Sequence, residues 1–222
     1  MVVTDLAGNA ETLDITESGS NIVFNASGRT YSLNGGLSTT MPISIPISGL
    51  NSITVNTGLG ADLINIGAFA TALPSLTVNG GTNDDVVVLM VISHLNANAN
   101  LDVDLQNDDA ITGLDRLSLS SLSNLVLLGT GSATIKVSYY VLLSDGSSIT
   151  TQNGDLTVEA NQQLTPSSGI FTGITIFGAL LQSSGSGTIV VRGKGGNSSN
   201  NQRGINVSQQ VKFRASGAVM EV

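Results

Sequence analysis

The sequence predicts an all-β protein, a parallel β-helix (β-solenoid) with an N-terminal β-hairpin cap. Three observations carry this. A Gly/Asn/Asp turn returns at a regular offset along the chain. Between turns, apolar and polar residues alternate. The 222 residues are 41% hydrophobic but only 11% charged and 4% aromatic, with 26 Gly and no Cys or Trp. Charged residues usually make up about 25%. Disorder needs low hydrophobicity and high charge, so this composition excludes it. Ser, Thr, Asn, Gly, Val and Ile prevail, which are turn and strand formers.

Residues 1–47 lie outside the period and form the cap. The stretch from Asn21 to Leu33 reads as a hairpin around Ala26-Ser27-Gly28. Met41-Pro42-Ile43-Ser44-Ile45-Pro46-Ile47 reads as an extended edge segment, because two prolines withhold backbone donors.

Residues 48–222 carry the repeat, a solenoid of about 22–30 residues per coil. Asn51 to Ile64 aligns with Pro74 to Val87 at an offset of 23. The turn Asn83-Asp84-Asp85 aligns with Asn107-Asp108-Asp109, 24 further on. Gly129-Thr130-Gly131-Ser132-Ala133 follows after another 24, with Ala133 in the Asp place. Asn153-Gly154-Asp155, Gly185-Ser186-Gly187 and Ala215-Ser216-Gly217 follow at 22, 32 and 30. A coil of this length cannot bury its own inward face, whereas stacked coils one strand spacing apart (~4.8 Å) share one core.

The alternation points Ile53 and Val55, Leu76 and Val78, Leu101 and Val103, Ile135 and Val137, and Leu156 and Val158 inward. Thr54, Thr77, Asp102, Lys136 and Thr157 point outward. The runs Val86–Leu89 and Leu125–Leu128 read as strands buried on both faces. The crossover rule for parallel strands predicts a right-handed winding.

Net charge is −8, which argues against nucleic acid and anionic membrane surfaces. Twelve acids and one base, Arg29, precede Arg116, whereas five of the eight bases lie at or beyond Arg192. No window is apolar enough for membrane insertion. The start, Met1-Val2-Val3-Thr4-Asp5, lacks the basic and apolar regions of a signal peptide. Ser216 to Val222 reads as a strand halted in mid-pattern, which predicts either a continuing chain or end-to-end self-association.

Three stretches, Leu95–Asp109, Asn153–Gln163 and Ser184–Asn197, resemble the β-solenoid repeats of giant secreted or surface-attached bacterial proteins of the adhesin and filamentous-haemagglutinin-like kind. The resemblance covers roughly residues 48–222. It implies an extracellular or cell-surface location and a structural or adhesive role, and it brings no catalytic residues.

Thr57-Gly58-Leu59-Gly60-Ala61-Asp62 and Gly80-Gly81-Thr82-Asn83-Asp84-Asp85 look like single copies of a calcium-binding nonapeptide. Stacking would place Asp62, Asp85 and Asp109 in one column, where Ca²⁺ would relieve their mutual repulsion. Ordinary turn chemistry, with Asp bonding nearby backbone, explains the same residues without a metal. Polysaccharide cleavage needs two facing carboxylates. Asp84/Asp85 and Asp108/Asp109 are adjacent pairs, which on a strand point to opposite faces. His94 is the sole histidine, which excludes a His–His metal pair. Phe171, Phe177, Tyr139 and Tyr140 read as core or surface strand residues rather than sugar platforms. Surface glycans remain the alternative partner, through a flat face of aligned Thr, but Asp102 interrupts Thr54 and Thr77.

Overall fold

The computed structural model describes residues 1–67, 69–90, 94–106, 113–198, 202–209, 212–215 and 220–221. These residues form an all-β protein whose strands build three long sheets. From Ser52 onward the chain visits the sheets in turn, and the strands of successive coils pair in parallel. This connectivity is compatible with a parallel β-solenoid. Six coils follow the first circuit. Their first-sheet strands are Ser52–Asn56, Ser75–Asn79, Leu101–Leu105, Ala133–Val137, Leu156–Ala160 and Ile189–Gly193. Their second-sheet strands are Leu63–Ile66, Val86–Leu89, Arg116–Leu119, Tyr140–Leu143, Ile174–Phe177 and Ile205–Ser208. The third sheet starts in coil 3 with Asn124–Leu127 and continues through Ser148–Thr151, Leu180–Ser183 and Lys212–Ala215. In coils 1 and 2 a single parallel bridge, Leu73 to Leu95, takes its place.

Register joins the inward residues into continuous columns. Val3, Val55, Val78, Val103, Ile135, Val158 and Val191 pair in sequence, and each is fully buried. Leu13, Ile64, Val87, Leu117, Val141 and Ile174 make the matching column on the second sheet. β-Branched and Leu side chains suit this arrangement because each packs on its equivalent one strand away. The predicted inward residues are all buried.

The register corrects three expectations. First, Ala133 pairs with Leu101 and Leu156 in the first sheet. The Gly129–Ala133 turn is therefore the corner entering the first sheet, whereas Thr57–Asp62 is the corner leaving it. Both corners are Gly-rich, so the sequence offset merged them. Second, Thr134, not Lys136, is level with Asp102 and Thr157, while Lys136 is level with Asp104 and Glu159. Third, Val86–Leu89 and Leu125–Leu128 are not buried on both faces. Val88 and Val126 are only half-buried and Leu128 is exposed, because each sheet turns a single face to the core.

First-sheet equivalents are Ile53, Leu76, Leu101, Ala133, Leu156, Ile189 and Met220, so the coils are of uneven length. The steps from Ile53 to Leu76 and from Ala133 to Leu156 are the shortest, and that from Leu156 to Ile189 is the longest. Much of the extra length sits in the corner between first and second sheets. That corner spans 57–62 in coil 1 but 161–173 in coil 5. The opposite corner is short, spanning 152–155 and 184–188, and glycines stack there. A Cβ on Gly154 would overlap the carbonyl oxygen of Gly131, and one on Gly187 would overlap that of Gly154.

At the N-terminal end, Val2–Asp5 and Thr12–Ser18 already pair in parallel with coil 1. Asn21–Asn25, Thr30–Leu33, Ser38–Thr40 and Ile43–Pro46 then add antiparallel strands to the first two sheets. The turn at Ala26-Ser27-Gly28 is not a hairpin. It carries the chain from the second sheet to the first, because Ile22, Phe24 and Tyr31 all bury toward one core. The hairpin instead joins Thr12–Ser18 to Asn21–Asn25 around Gly19-Ser20. The proline-flanked segment does form a sheet edge.

Candidate functional site: a buried carboxylate column

The corner leaving the first sheet places an acid just before each early second-sheet strand. Leu63, Val86 and Arg116 share one register position, so Asp62, Asp85 and Asp115 stack. Thr12 pairs with Leu63, which adds Glu11 at the head of the column. Each aspartate is at most 1% exposed. Their carboxylates accept the backbone N–H of the equivalent residue one coil earlier. Glu11 N–H donates to Asp62 Oδ1 at 2.9 Å, Asp62 N–H to Asp85 Oδ1 at 2.8 Å, and Asp85 N–H to Asp115 Oδ1 at 2.7 Å. A buried corner N–H has no ladder partner, so a side chain must satisfy it. An ionised acceptor makes the stronger bond.

Asp62 and Asp85 thus stack as their spacing implied. Asp109 lies outside the described residues, and Asp115 holds the third place. The step from Asp85 is 30 rather than 24, because this corner is longer in coil 3. The available signal was Asp115 standing directly before Arg116-Leu117-Ser118-Leu119, whose second and fourth positions are apolar, as are those of the four residues after Asp62 and after Asp85.

Beyond Asp115 the column becomes neutral. Asp115 N–H donates to Ser138 Oγ at 3.0 Å, and the Ser138 hydroxyl returns a bond to Asp115 Oδ2 at 2.5 Å. Further along, Ser167 Oγ donates to the Ser138 carbonyl at 2.9 Å, and Ser167 N–H to Asn161 Oδ1 at 2.6 Å. Fully buried Asn161 also donates Nδ2 to the Lys194 carbonyl at 3.1 Å. These amides and hydroxyls were not foreseen, since Ser and Asn are frequent everywhere in this chain.

At the acidic end, Arg29 Nε lies 3.1 Å from Glu11 Oε2, and Arg29 Nη2 donates to the Ala10 carbonyl at 2.6 Å. Burial pushes the Glu11 carboxyl up to about 7, with Asp5 and Asp62 adding repulsion and Arg29 opposing it. Burial raises Asp62 to about 6, against the lowering effect of the Glu11 N–H and the Thr57 hydroxyl.

Calcium favours six to eight oxygen ligands. Among the described residues, no group of three or more His, Asp or Glu side chains is arranged to hold a metal. The carboxylates of Asp62, Asp85 and Asp115 each accept a backbone N–H. Asp84 faces away from Asp85 and accepts from Leu114 N–H at 2.9 Å, so this pair is not a facing acid–base couple. His94 sits beside the Leu73–Leu95 bridge, its carbonyl accepting from Leu73 N–H.

Three of the aromatics gather on the surface. The Tyr139 ring lies 3.9 Å from Phe171 and 5.7 Å from Tyr140, and Arg116 caps both tyrosines at 5.3 and 5.6 Å. Phe177 is separately 39% exposed. No helix among the described residues is long and apolar enough to cross a membrane. Comparison with known proteins gives no matching family model, no matching curated protein and no matching solved structure.

Proposed function

We propose that this chain is a non-catalytic structural segment: a right-handed β-solenoid, capped by its N-terminal antiparallel strands, acting outside the cell as a rigid stalk or self-associating fibre unit. One observation carries the reading. The first sheet runs in parallel register from Val2–Asp5 to Met220–Glu221, and its inward column is unbroken from Val3 to Val191. Seven strand intervals at ~4.8 Å give an axis of roughly 34 Å. A continuous ladder of this kind resists bending, and its buried acids serve corner amides rather than a cleft. The resemblance of residues 48–222 to bacterial surface repeats supports the extracellular setting.

The Tyr139/Tyr140/Phe171/Arg116 patch favours a second reading, a surface that stacks on sugar rings. A glycan array combined with a polysaccharide turnover assay separates the readings. A scaffold yields neither binding nor product. Binding without product makes the chain a lectin-like module, and product overturns the non-catalytic assignment. The column requires no cation in this reading, so thermal melts in saturating Ca²⁺ and in chelator are expected to superimpose. A calcium-dependent rise would restore Asp62, Asp85 and Asp109 as ligands.

A further inference from the structure

The outward face of the first sheet carries two straight columns of side chains. One begins as an uncharged ladder, with Asn79 Nδ2 donating to Asn56 Oδ1 at 2.8 Å and Asn56 Nδ2 to Thr4 Oγ1 at 3.2 Å. Over coils 3 to 6 the same column becomes Asp104, Lys136, Glu159 and Arg192, level with one another by register. The signs alternate: minus, plus, minus, plus. The neighbouring column is flat and small over the same coils: Asp102, Thr134, Thr157 and Val190.

Read backwards, the charged column is its own complement. We infer that this face is a contact between two copies of the chain, packed face to face with antiparallel solenoid axes. The two-fold lies along the strand direction and passes midway between coils 4 and 5. That operation sets Asp104 against Arg192 of the second copy and Lys136 against Glu159, each pair made twice. It also sets Thr134 against Thr157, where short side chains let the faces approach. A closed, isologous contact is the ordinary way identical chains associate.

Arg192 suits the role because its side chain is 49% exposed while it pairs with Glu159 at 2.9 Å in its own chain. Asp104 accepts from Gln106 N–H at 3.1 Å, which holds its carboxylate on this face. Four rungs at ~4.8 Å by five residues at ~3.3 Å give roughly 300 Å² per copy. That is small against the ~800 Å² per partner of a standard interface, so the dimer is weak and salt-sensitive. The contact is lateral and independent of any end-to-end joining.

The test is sedimentation velocity on the full chain, from low micromolar to several hundred micromolar, in 50 and 500 mM NaCl. The expected result is a sedimentation coefficient that climbs with concentration at low salt and stays monomeric at high salt. Lys136→Glu sets two glutamate pairs face to face and weakens association by at least about tenfold. The exchange K136E/E159K restores it, because the reversed column is again complementary. Within one chain the same exchange puts like charges side by side at Asp104/position 136 and at position 159/Arg192. A purely intramolecular ladder therefore predicts a lower melting temperature and no regain of association. Thr134→Arg probes the same contact by bulk if a charge variant does not fold. A strict monomer throughout, association unmoved by Lys136→Glu or Thr134→Arg, or a folded exchange variant that stays monomeric would each overturn the inference.

Discussion

Replacing Asp85 separates a hydrogen-bonded column from a metal column. Asp85 is fully buried and its Oδ1 takes the Asp62 N–H at 2.8 Å. Asp85→Ala removes that acceptor and leaves a donor without a partner where water does not reach. The penalty for such an orphan is about 1–3 kcal/mol, and the void left by the carboxylate adds to it. A total of about 3 kcal/mol lowers Tm by roughly 6–12 °C in a chain of this size. Asp85→Asn keeps an amide oxygen in place and deletes one of the stacked charges, so it should fall within about 1 kcal/mol of the parent. Circular dichroism melts give the two Tm values, and hydrogen exchange reads the Asp62 amide directly. Protection of that amide should survive in the Asn variant and drop in the Ala variant. If the Ala variant melts together with the parent, or the Asn variant is equally damaged, the amide-satisfying role is wrong.

Further outcomes follow from other positions. Glu11 and Asp62 have raised carboxyl values of about 7 and 6, so the fold favours their protonated forms. Their contribution is fully present below about pH 4 and is lost as pH rises through 6 and 7. Tm should therefore fall between pH 5 and pH 8, with a shallower fall in Glu11→Gln, measured by melts in matched ionic strength. Gly154→Ala forces a methyl into the Gly131 carbonyl, and overpacking of about 1–3 kcal/mol should lower the urea midpoint. Thr151 lies inward with its hydroxyl buried and unpartnered, so Thr151→Val should raise Tm by a few degrees, about 1 kcal/mol. A drop on melting Thr151→Val would mean that the hydroxyl is satisfied after all.

Much of the fold was legible because alternation is a local property. Ile53, Val55, Leu76, Val78, Leu101 and Val103 announce their inward direction from a few neighbours, since successive strand residues must face opposite ways. Glycine and asparagine likewise mark corners without reference to distant residues. Which corner stacks on which is a different kind of fact. Gly129–Ala133 and Thr57–Asp62 share turn chemistry but lie at opposite edges of the first sheet. Only the pairing of Ala133 with Leu101 and Leu156 tells them apart. The same pairing set Thr134 in line with Thr157, and the second-sheet pairing of Val86 with Arg116 moved the third acid from the expected Asp109 to Asp115. Corner length costs little when a loop lies outside the ladder. The step from Leu156 to Ile189 can therefore exceed that from Ile53 to Leu76, while contiguous apolar columns hold the register. The sequence by itself determined that the chain is β throughout, which side chains turn inward, and that its turns recur. Tertiary structure decided the phase of the coils, and with it the carboxylate column and the alternating charges of the outer face. A strand's facing depends on its nearest neighbours, whereas its level in the stack depends on what the preceding coil has already buried.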